Sequence, residues 1–381
     1  MTKKTALVYC DQEFGRADGK TAVGLVRYSD LYTIVGILDR SLAGQDAGEA
    51  LGEATVGIPI FASLDDALGQ LLTVPQCYIY GKAPLETSIS QAERTLILEA
   101  MAQGMDIING LHQFFSEDPE FVSQAAQHQV QIQDIRKPPL VADLHGFTGE
   151  ISRVTVPVVA VLGTDCACGK MTTALKLHQA LMEQGLKSVF IATGQTGLMQ
   201  GAKYGIAIDA LVSQFVVGEI EHAIVQAFDQ EDPDIILVEG QSAVSHPAFM
   251  SSLGILKGSL ANGVILQHPP ARKFRCDFPH LAMPTVAQEI KLIETISAAK
   301  VIAITLSHED LTHAAVLRII ADYERSLQLP TTDVLDQGCQ KLVAALCQNF
   351  PQLQPKIRPN PLAQNPLAQN PLGKVPVLES R

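Results

Sequence analysis

The chain has 381 residues, enough for two domains of ordinary size with a core each. Hydrophobic residues make up 47% and charged residues 18%, a composition that folds rather than one that stays disordered. The formal charge of −12 repels nucleic acid and anionic membrane, so neither is expected as a partner, and an anionic ligand must be held by local groups working against the global field. Seven cysteines, an odd number without disulfide or zinc spacing, read as reduced thiols, and the cytoplasm is the expected location. The apolar stretch at 6–10 is too short for a signal peptide, and no apolar run approaches the ~20 residues of a membrane span.

Strand-like apolar runs alternate with helix-like stretches along the whole chain, the pattern of parallel sheets covered by helices. In chain order the runs predict strands over 5–10, 33–38, 76–80, 105–109 and 130–134, with helices near 19–28, 63–72, 90–103 and 117–128. The segment RKPPLVADLHGFTGE (136–150) has little periodicity, and Pro138 and Pro139 oppose a helix start, so the first domain is drawn over 1–150. A second domain over 151–350 opens on the strand VPVVAVLG (156–163) and continues with strands over 188–193, 234–240, 263–268 and 301–306. From 351 to 381 the composition changes. NPLAQ at Asn360 repeats at Asn365 and decays to NPLGK at Asn370, with nothing large to bury, and an extended or disordered tail is expected.

The motif that carries chemistry is GTDCACGKMTT: Gly163, Thr164, Asp165, Cys166, Ala167, Cys168, Gly169, Lys170, Met171, Thr172 and Thr173. It follows an apolar β-run and precedes a helical pattern, the context a phosphate-binding loop requires. Backbone N–H groups of such a loop face the anion, the helix N-terminus adds partial positive charge, and Lys170 supplies a full one. Two features depart from the usual loop. Five residues separate the glycines instead of four, and Met171 follows the lysine where a hydroxyl normally holds magnesium. Thr172 and Thr173 come next, but each further residue turns the side chain about 100° around the helix. Glu239 ends the strand read over 234–240, at the edge where ligands of open α/β sheets sit, and an acid there can hold magnesium or take a proton.

GTDCACGK with VEG resembles dethiobiotin synthetase, whose phosphate loop carries the same extra residue, and that likeness implies metal-proximal roles for Asp165 and Glu239. A second resemblance spans nearly the whole chain. GKTAVGLVRY (19–28), MDIINGLH (105–112), GTDCACGKMTT and VEGQSA (239–244) are together similar to a family catalogued as a domain of unknown function. The resemblance implies a Rossmann-like N-terminal domain, a P-loop C-terminal domain and D-glutamate N-acetyltransferase activity, with acetyl-CoA as donor and an acidic amino acid, D-glutamate, as small-molecule substrate. A thioester is already activated, so the loop is expected to hold the phosphates of CoA or of a regulatory nucleotide. The amine needs a general base, for which Glu239 and His268 are the candidates beside Lys170. An ATP-dependent carboxylate ligase or kinase and a non-catalytic nucleotide-binding regulator are the competing readings. A closed homo-oligomer is the common outcome for such enzymes.

Weaker signals lie elsewhere. GRADGKT (15–21) looks like a second phosphate loop through Gly19, Lys20 and Thr21, although only three residues separate its glycines, and Asp39 ends the next strand where an acid can meet a ribose. HPPARKFR (268–275) gathers Arg272, Lys273 and Arg275 in a proline-held loop suited to clamp a carboxylate. Cys166 and Cys168 stand inside the loop, where a helix N-terminus favours thiolate and a sulfur can carry an acyl group.

Overall fold

The computed structural model describes residues 3–84 and 88–357. The first six strands are β1 (Lys4–Tyr9), β2 (Tyr32–Leu38), β3 (Ile60–Phe61), β4 (Cys77–Tyr80), β5 (Asp106–Asn109) and β6 (Ile132–Asp134). They form one sheet in the order β3-β2-β1-β4-β5-β6 with every pairing parallel, the Rossmann arrangement, whose order reverses between β1 and β4. Its helices are α1 (Lys20–Arg27), α2 (Ala47–Ala50), α3 (Leu64–Gln70), α4 (Gln91–Ala102) and α5 (Pro119–His128). Local chemistry fixes their starts. Ser90 and Glu93 form a reciprocal capping box on α4, and Asp118 caps α5 with Pro119 in the first turn.

The second sheet holds β7 (Val158–Gly163), β8 (Ser188–Ala192), β9 (Tyr204–Gly205), β10 (Ile235–Glu239), β11 (Gly263–His268), β12 (Lys300–Leu306) and β13 (Thr331–Thr332), also all parallel, in the order β13-β12-β11-β7-β10-β8-β9. Its helices are α6 (Lys170–Glu183), α7 (Gln195–Gln200), α8 (Ser213–Glu231), α9 (Ser251–Ser259), α10 (Val286–Ile296), α11 (His313–Leu327) and α12 (Gln340–Asn349). Every residue of β7 is buried, because helices cover both faces. Val158, Ala160 and Leu162 pack into the cluster that contains Ile220 and Ile224 of α8, while Val159 and Val161 meet Ala174, Leu177 and Leu181 of α6. That alternation aims the end of β7 at the junction of both layers, and the phosphate loop leaves from there.

The strands read from the sequence are present to within two residues at each end, and the three it missed, β3, β9 and β13, are two residues long with almost no pattern to read. Pro351–Lys356 forms a short 3-10 helix with Leu353 buried, so ordered chain continues into the segment expected to be extended, whereas the NPLAQ units lie outside the described residues. The 137–157 connection is strapped to α8: Glu219 accepts from His145 N at 2.6 Å, and Glu221 accepts from Thr148 N at 2.6 Å and Ile151 N at 3.1 Å. His145 also stacks on His222 at 3.6 Å, which makes it part of this strap.

The two sheets meet through α1 and α7. Thr21 Oγ1 lies 2.8 Å from Thr196 Oγ1, Gln200 Nε2 donates to Gly24 O at 2.7 Å, and Gln200 O accepts from Asp30 N at 2.7 Å. Beside them, buried Arg136 grips Asp209 with Nη2 at 2.8 Å and Nε at 3.1 Å and donates to Gly110 O through Nη1.

Candidate functional site

Four loops converge at the carboxyl edge of the second sheet: 163–170 after β7, 193–195 after β8, 240–250 after β10 and 269–285 after β11. The first bends through Ala167 and Gly169, both left-handed at φ 44° and 102°, and α6 starts at Lys170. Gly169 pays no Cβ penalty there. Gly163 sits under the folded loop, where an added Cβ would come within 2.8 Å of Lys170 Cδ and 2.9 Å of Cys168 Sγ. Lys170 Nζ donates to Asp165 O at 2.5 Å and lies 3.7 Å from Cys168 Sγ, so the ammonium folds over the cradle. Beneath the loop, Gln267 Oε1 accepts from Thr173 Oγ1 at 2.6 Å and from Thr305 Oγ1, which ties α6 to β11 and β12.

Asp165 is sealed, and its carboxylate faces protein groups. Oδ2 accepts from Arg272 Nη1 at 2.8 Å and Cys276 N at 2.9 Å, and Oδ1 lies 3.5 Å from Arg275 Nη1. Burial opposes its ionisation, but the Cys276 N–H and Arg272 outweigh it and hold this carboxyl below the usual range. The same bonds engage the arginines. Arg272 bridges Asp165 to Glu309 and donates to Cys166 O, and Arg275 holds Thr164 O at 3.0 Å and Ser245 Oγ at 3.0 Å. Two residues that the sequence offered as a substrate clamp are therefore the scaffold of the phosphate loop, and exposed Lys273 stands apart from them.

Glu239 ends β10 with its carboxylate against the start of α7, accepting from Thr193 N at 2.9 Å and Gly194 N at 3.2 Å. Burial pushes it up to about 7, with those two N–H groups and the positive charge of Lys170 pulling the other way. It is thus a carboxylate that gains and loses a proton near neutrality. His268 is different. Its Nδ1 is paired with Thr164 Oγ1 at 2.8 Å, and burial, helped by Arg272, lowers it to about 4. It supports the loop as a neutral, enclosed ring.

Two of the three residues read as a magnesium set are engaged by protein groups, Asp165 by Arg272 and Cys276 and Glu239 by two backbone N–H groups, and Met171 follows the lysine where a hydroxyl normally stands. The Met171 side chain turns to α1 instead: a Cβ added at Gly24 would meet Met171 Cε at 3.2 Å. The second loop is also otherwise occupied. Thr21 is buried against Thr196, Gly19 packs on Glu13 O, and Lys20 is exposed. Asp39, 1% exposed, accepts from Phe14 N at 3.1 Å, Ser41 N at 2.9 Å and Ser41 Oγ at 2.6 Å, so it shapes its own loops and offers no free oxygen to a ribose.

Comparison with known proteins places this geometry. The model for the domain of unknown function DUF1611_C, a P-loop domain, matches residues 145–343, and the model for DUF1611_N, a Rossmann-like domain, matches residues 40–138. The chain belongs to the DUF1611 family. The crystal structure of a DUF1611 family protein from Anabaena variabilis superposes with a TM-score of 0.83 at 31% identity, covering 91% of this chain and 100% of that one. Among curated proteins, a D-glutamate N-acetyltransferase from Pseudoalteromonas sp is 32% identical over 66% of this chain and 75% of its own length. A second D-glutamate N-acetyltransferase, from Tritonibacter scottomollicae, is 27% identical over 70% of this chain and 80% of its own. No helix among the described residues is long and apolar enough to cross a membrane.

In this DUF1611 chain the site includes residues that sequence reasoning passed over. Gln267 looks like the polar end of an apolar strand, and Glu289, 0% exposed, accepts from Val244 N at 2.7 Å and Ser245 N at 3.2 Å to hold the loop after Glu239. Neither has a spacing signal, because each acts on a partner more than 40 residues away. Cys276 is a third case. Its thiol lies 3.6 Å from Cys166 O, and its contact with the Cys166 sulfur, with Lys170 and the Ser242 hydroxyl adding to it, draws the Cys166 thiol below its ordinary value against the opposing effect of burial.

Proposed function

We propose that this chain is an N-acyltransferase that moves the acetyl group of acetyl-CoA to the amine of an acidic amino acid, with D-glutamate the first substrate to try. The observation that carries the reading is the similarity, over 66% and 70% of the chain, to two D-glutamate N-acetyltransferases. The site chemistry supports it. Amide formation from a thioester needs a base for the attacking amine and a cationic nest for the carboxylates, and needs no phosphoryl transfer. Glu239 is a proton acceptor poised near neutrality, and Lys170 with the loop N–H groups forms the nest. Because the pantetheine arm separates the thioester of CoA from its phosphates, an anion held next to Glu239 is better assigned to the amino acid than to CoA. The loop then takes a carboxylate where its relatives in form take a phosphate. Met171 at the domain junction and Asp165 on its arginines support that use, since the one has no hydroxyl to offer magnesium and the other is already paired.

The test is an assay of the wild type with acetyl-CoA and D-glutamate, without nucleotide or magnesium, that follows CoA thiol release and N-acetyl product. Product is expected, and Lys170→Ala should raise the KM for the amino acid about tenfold to a hundredfold, as loss of one charge-assisted bond does. Substrate-dependent ADP release from ATP, with no thiol release from acetyl-CoA, would sink the proposal.

A further inference from the structure

The loop after β10 carries two buried polar atoms whose hydrogen bonds are not made. His246 is 4% exposed and Ser242 is 6% exposed, and among the described residues neither His246 Nε2 nor Ser242 Oγ has a hydrogen-bond partner. Ser242 is held in a left-handed conformation at φ 50°. Ala248 N donates to His246 Nδ1 at 3.2 Å, so in the neutral ring the proton sits on Nε2. That Nε2–H is 3.8 Å from Asp165 Oδ1, beyond hydrogen-bond length. A buried donor without an acceptor is destabilising, and solvent reaches neither atom. Both atoms lack an acceptor.

One atom beside both can supply it. The ligand atoms of Asp165, Cys166 and His246 all lie within 4.8 Å of one another, and the Ser242 hydroxyl neighbours the same sulfur. A metal ion is the first thought for such a trio, but an imidazole that accepts at Nδ1 keeps its proton on Nε2 and presents no lone pair there, whereas a metal-bound histidine donates from its other nitrogen. Asp165 is already neutralised by Arg272 and Arg275. Negative charge on Cys166 Sγ, in contrast, gives both orphan donors an acceptor, next to the Lys170 ammonium. Cys166 is half-buried at the crest of the loop, while Cys168 is enclosed with its sulfur 3.3 Å from Asp165 O.

We propose that Cys166 is a catalytic nucleophile that carries the acetyl group as a thioester between acetyl-CoA and the amino acid, an inference that rests on the acetyl-transfer reading. The Cys166 thiolate attacks the acetyl carbonyl carbon, the bond from that carbon to the CoA sulfur breaks, and CoA leaves as its thiolate. The amine nitrogen then attacks the acetyl-cysteine carbonyl, the bond to Cys166 Sγ breaks, and the thiolate returns to the His246 and Ser242 donors while the amine proton passes to Glu239. His246 and Ser242 are positioning residues in this scheme. The order of events is ping-pong.

The experiment mixes the full-length protein with acetyl-CoA alone, quenches in acid and maps acetylation by peptide mass spectrometry, alongside stopped-flow detection of CoA thiol. The expected result is one acetyl group on the peptide that contains Cys166, a burst of thiol equal to the enzyme concentration, and parallel double-reciprocal plots in the presence of D-glutamate. Cys166→Ser should keep its fold by circular dichroism and lose at least ~10²-fold in kcat. If the wild type forms N-acetyl product with neither a burst nor acetyl-Cys166, direct transfer is the mechanism and the nucleophile is overturned while the acetyl-transfer reading stands. If the wild type forms no product from acetyl-CoA and D-glutamate, that reading has failed, and acetyl-Cys166 in the same digest still tests the sulfur by itself.

Discussion

At the scale of the residue, Glu239 is the base of the proposed acetyl transfer. Its carboxyl sits at about 7 against an ordinary 4.5, so between those values the native group holds a proton that the unfolded chain has lost. More protons bound to the native state means that stability falls as pH rises across that window, by about 3 kcal/mol in all, since each pH unit within it is worth about 1.4 kcal/mol. Activity runs the other way, because a base must be unprotonated, and turnover should climb as pH passes 7 from below. Glu239→Gln is expected to flatten both profiles and to lower kcat by about 10²–10⁴-fold. Paired melting curves and rate profiles of wild type and variant check this; a wild-type melting temperature that stays level from acid to neutral pH relative to the variant would show that the carboxyl is not raised. Little of this was legible beforehand. The residue type and its place at a strand end were, but the burial that moves the proton comes from α7, which folds back onto β10 from a different stretch of chain.

At the scale of the element, α1 and α7 matter more than their length suggests. They are eight and six residues long, yet they join the two sheets. Gly24 makes the close approach possible: an added Cβ would stand 2.9 Å from Thr196 Cγ2, 3.1 Å from Gln200 Nε2 and 3.2 Å from Met171 Cε. In an isolated helix, replacing glycine by a larger residue gains helix stability. Here the interface decides, and Gly24→Val should destabilise the protein by about 1–3 kcal/mol through overpacking. Because Met171 directly follows Lys170, the same change should weaken substrate binding. Thermal melts and the KM for the amino acid measure the two effects, and a variant that melts no lower than wild type would mean that the helices part without cost. The sequence flagged Met171 as out of place in a magnesium site. What it does instead emerges only where α6 and α1 are side by side.

At the scale of the whole molecule, the Rossmann-like and P-loop domains are coupled by polar contacts as well. Arg136 follows β6 of the first sheet, and its guanidinium is clamped by Asp209 of the second domain and by Gly110 O. Removing one partner of a buried, charge-assisted pair leaves the other groups unsatisfied. Arg136→Ala should therefore loosen docking by about 2 kcal/mol and split calorimetric unfolding into two transitions, one per domain. A single transition at the wild-type position would locate the coupling in α1 and α7 alone.

The amino-acid order determined a good deal by itself. Runs such as VVAVLG, apolar at every position, demand cover on both faces, and their alternation with helical stretches leaves parallel α/β sheets as the outcome. The loop with its left-handed Gly169 and Lys170 at the helix start is local as well, since the contiguous residues 163–170 form its path. Tertiary structure decided the rest. Asp165, Arg272 and Arg275 read as three ligand-facing charges, but charges of opposite sign brought together in a sealed space neutralise one another, and they became the frame of the loop. The proton affinity of Glu239 followed the same rule, since it is set by desolvation and by neighbours more than 40 residues distant. The unpartnered His246 and Ser242 beside Cys166 exist only because the chain after β10 passes over the loop after β7, and no spacing along the sequence records that crossing.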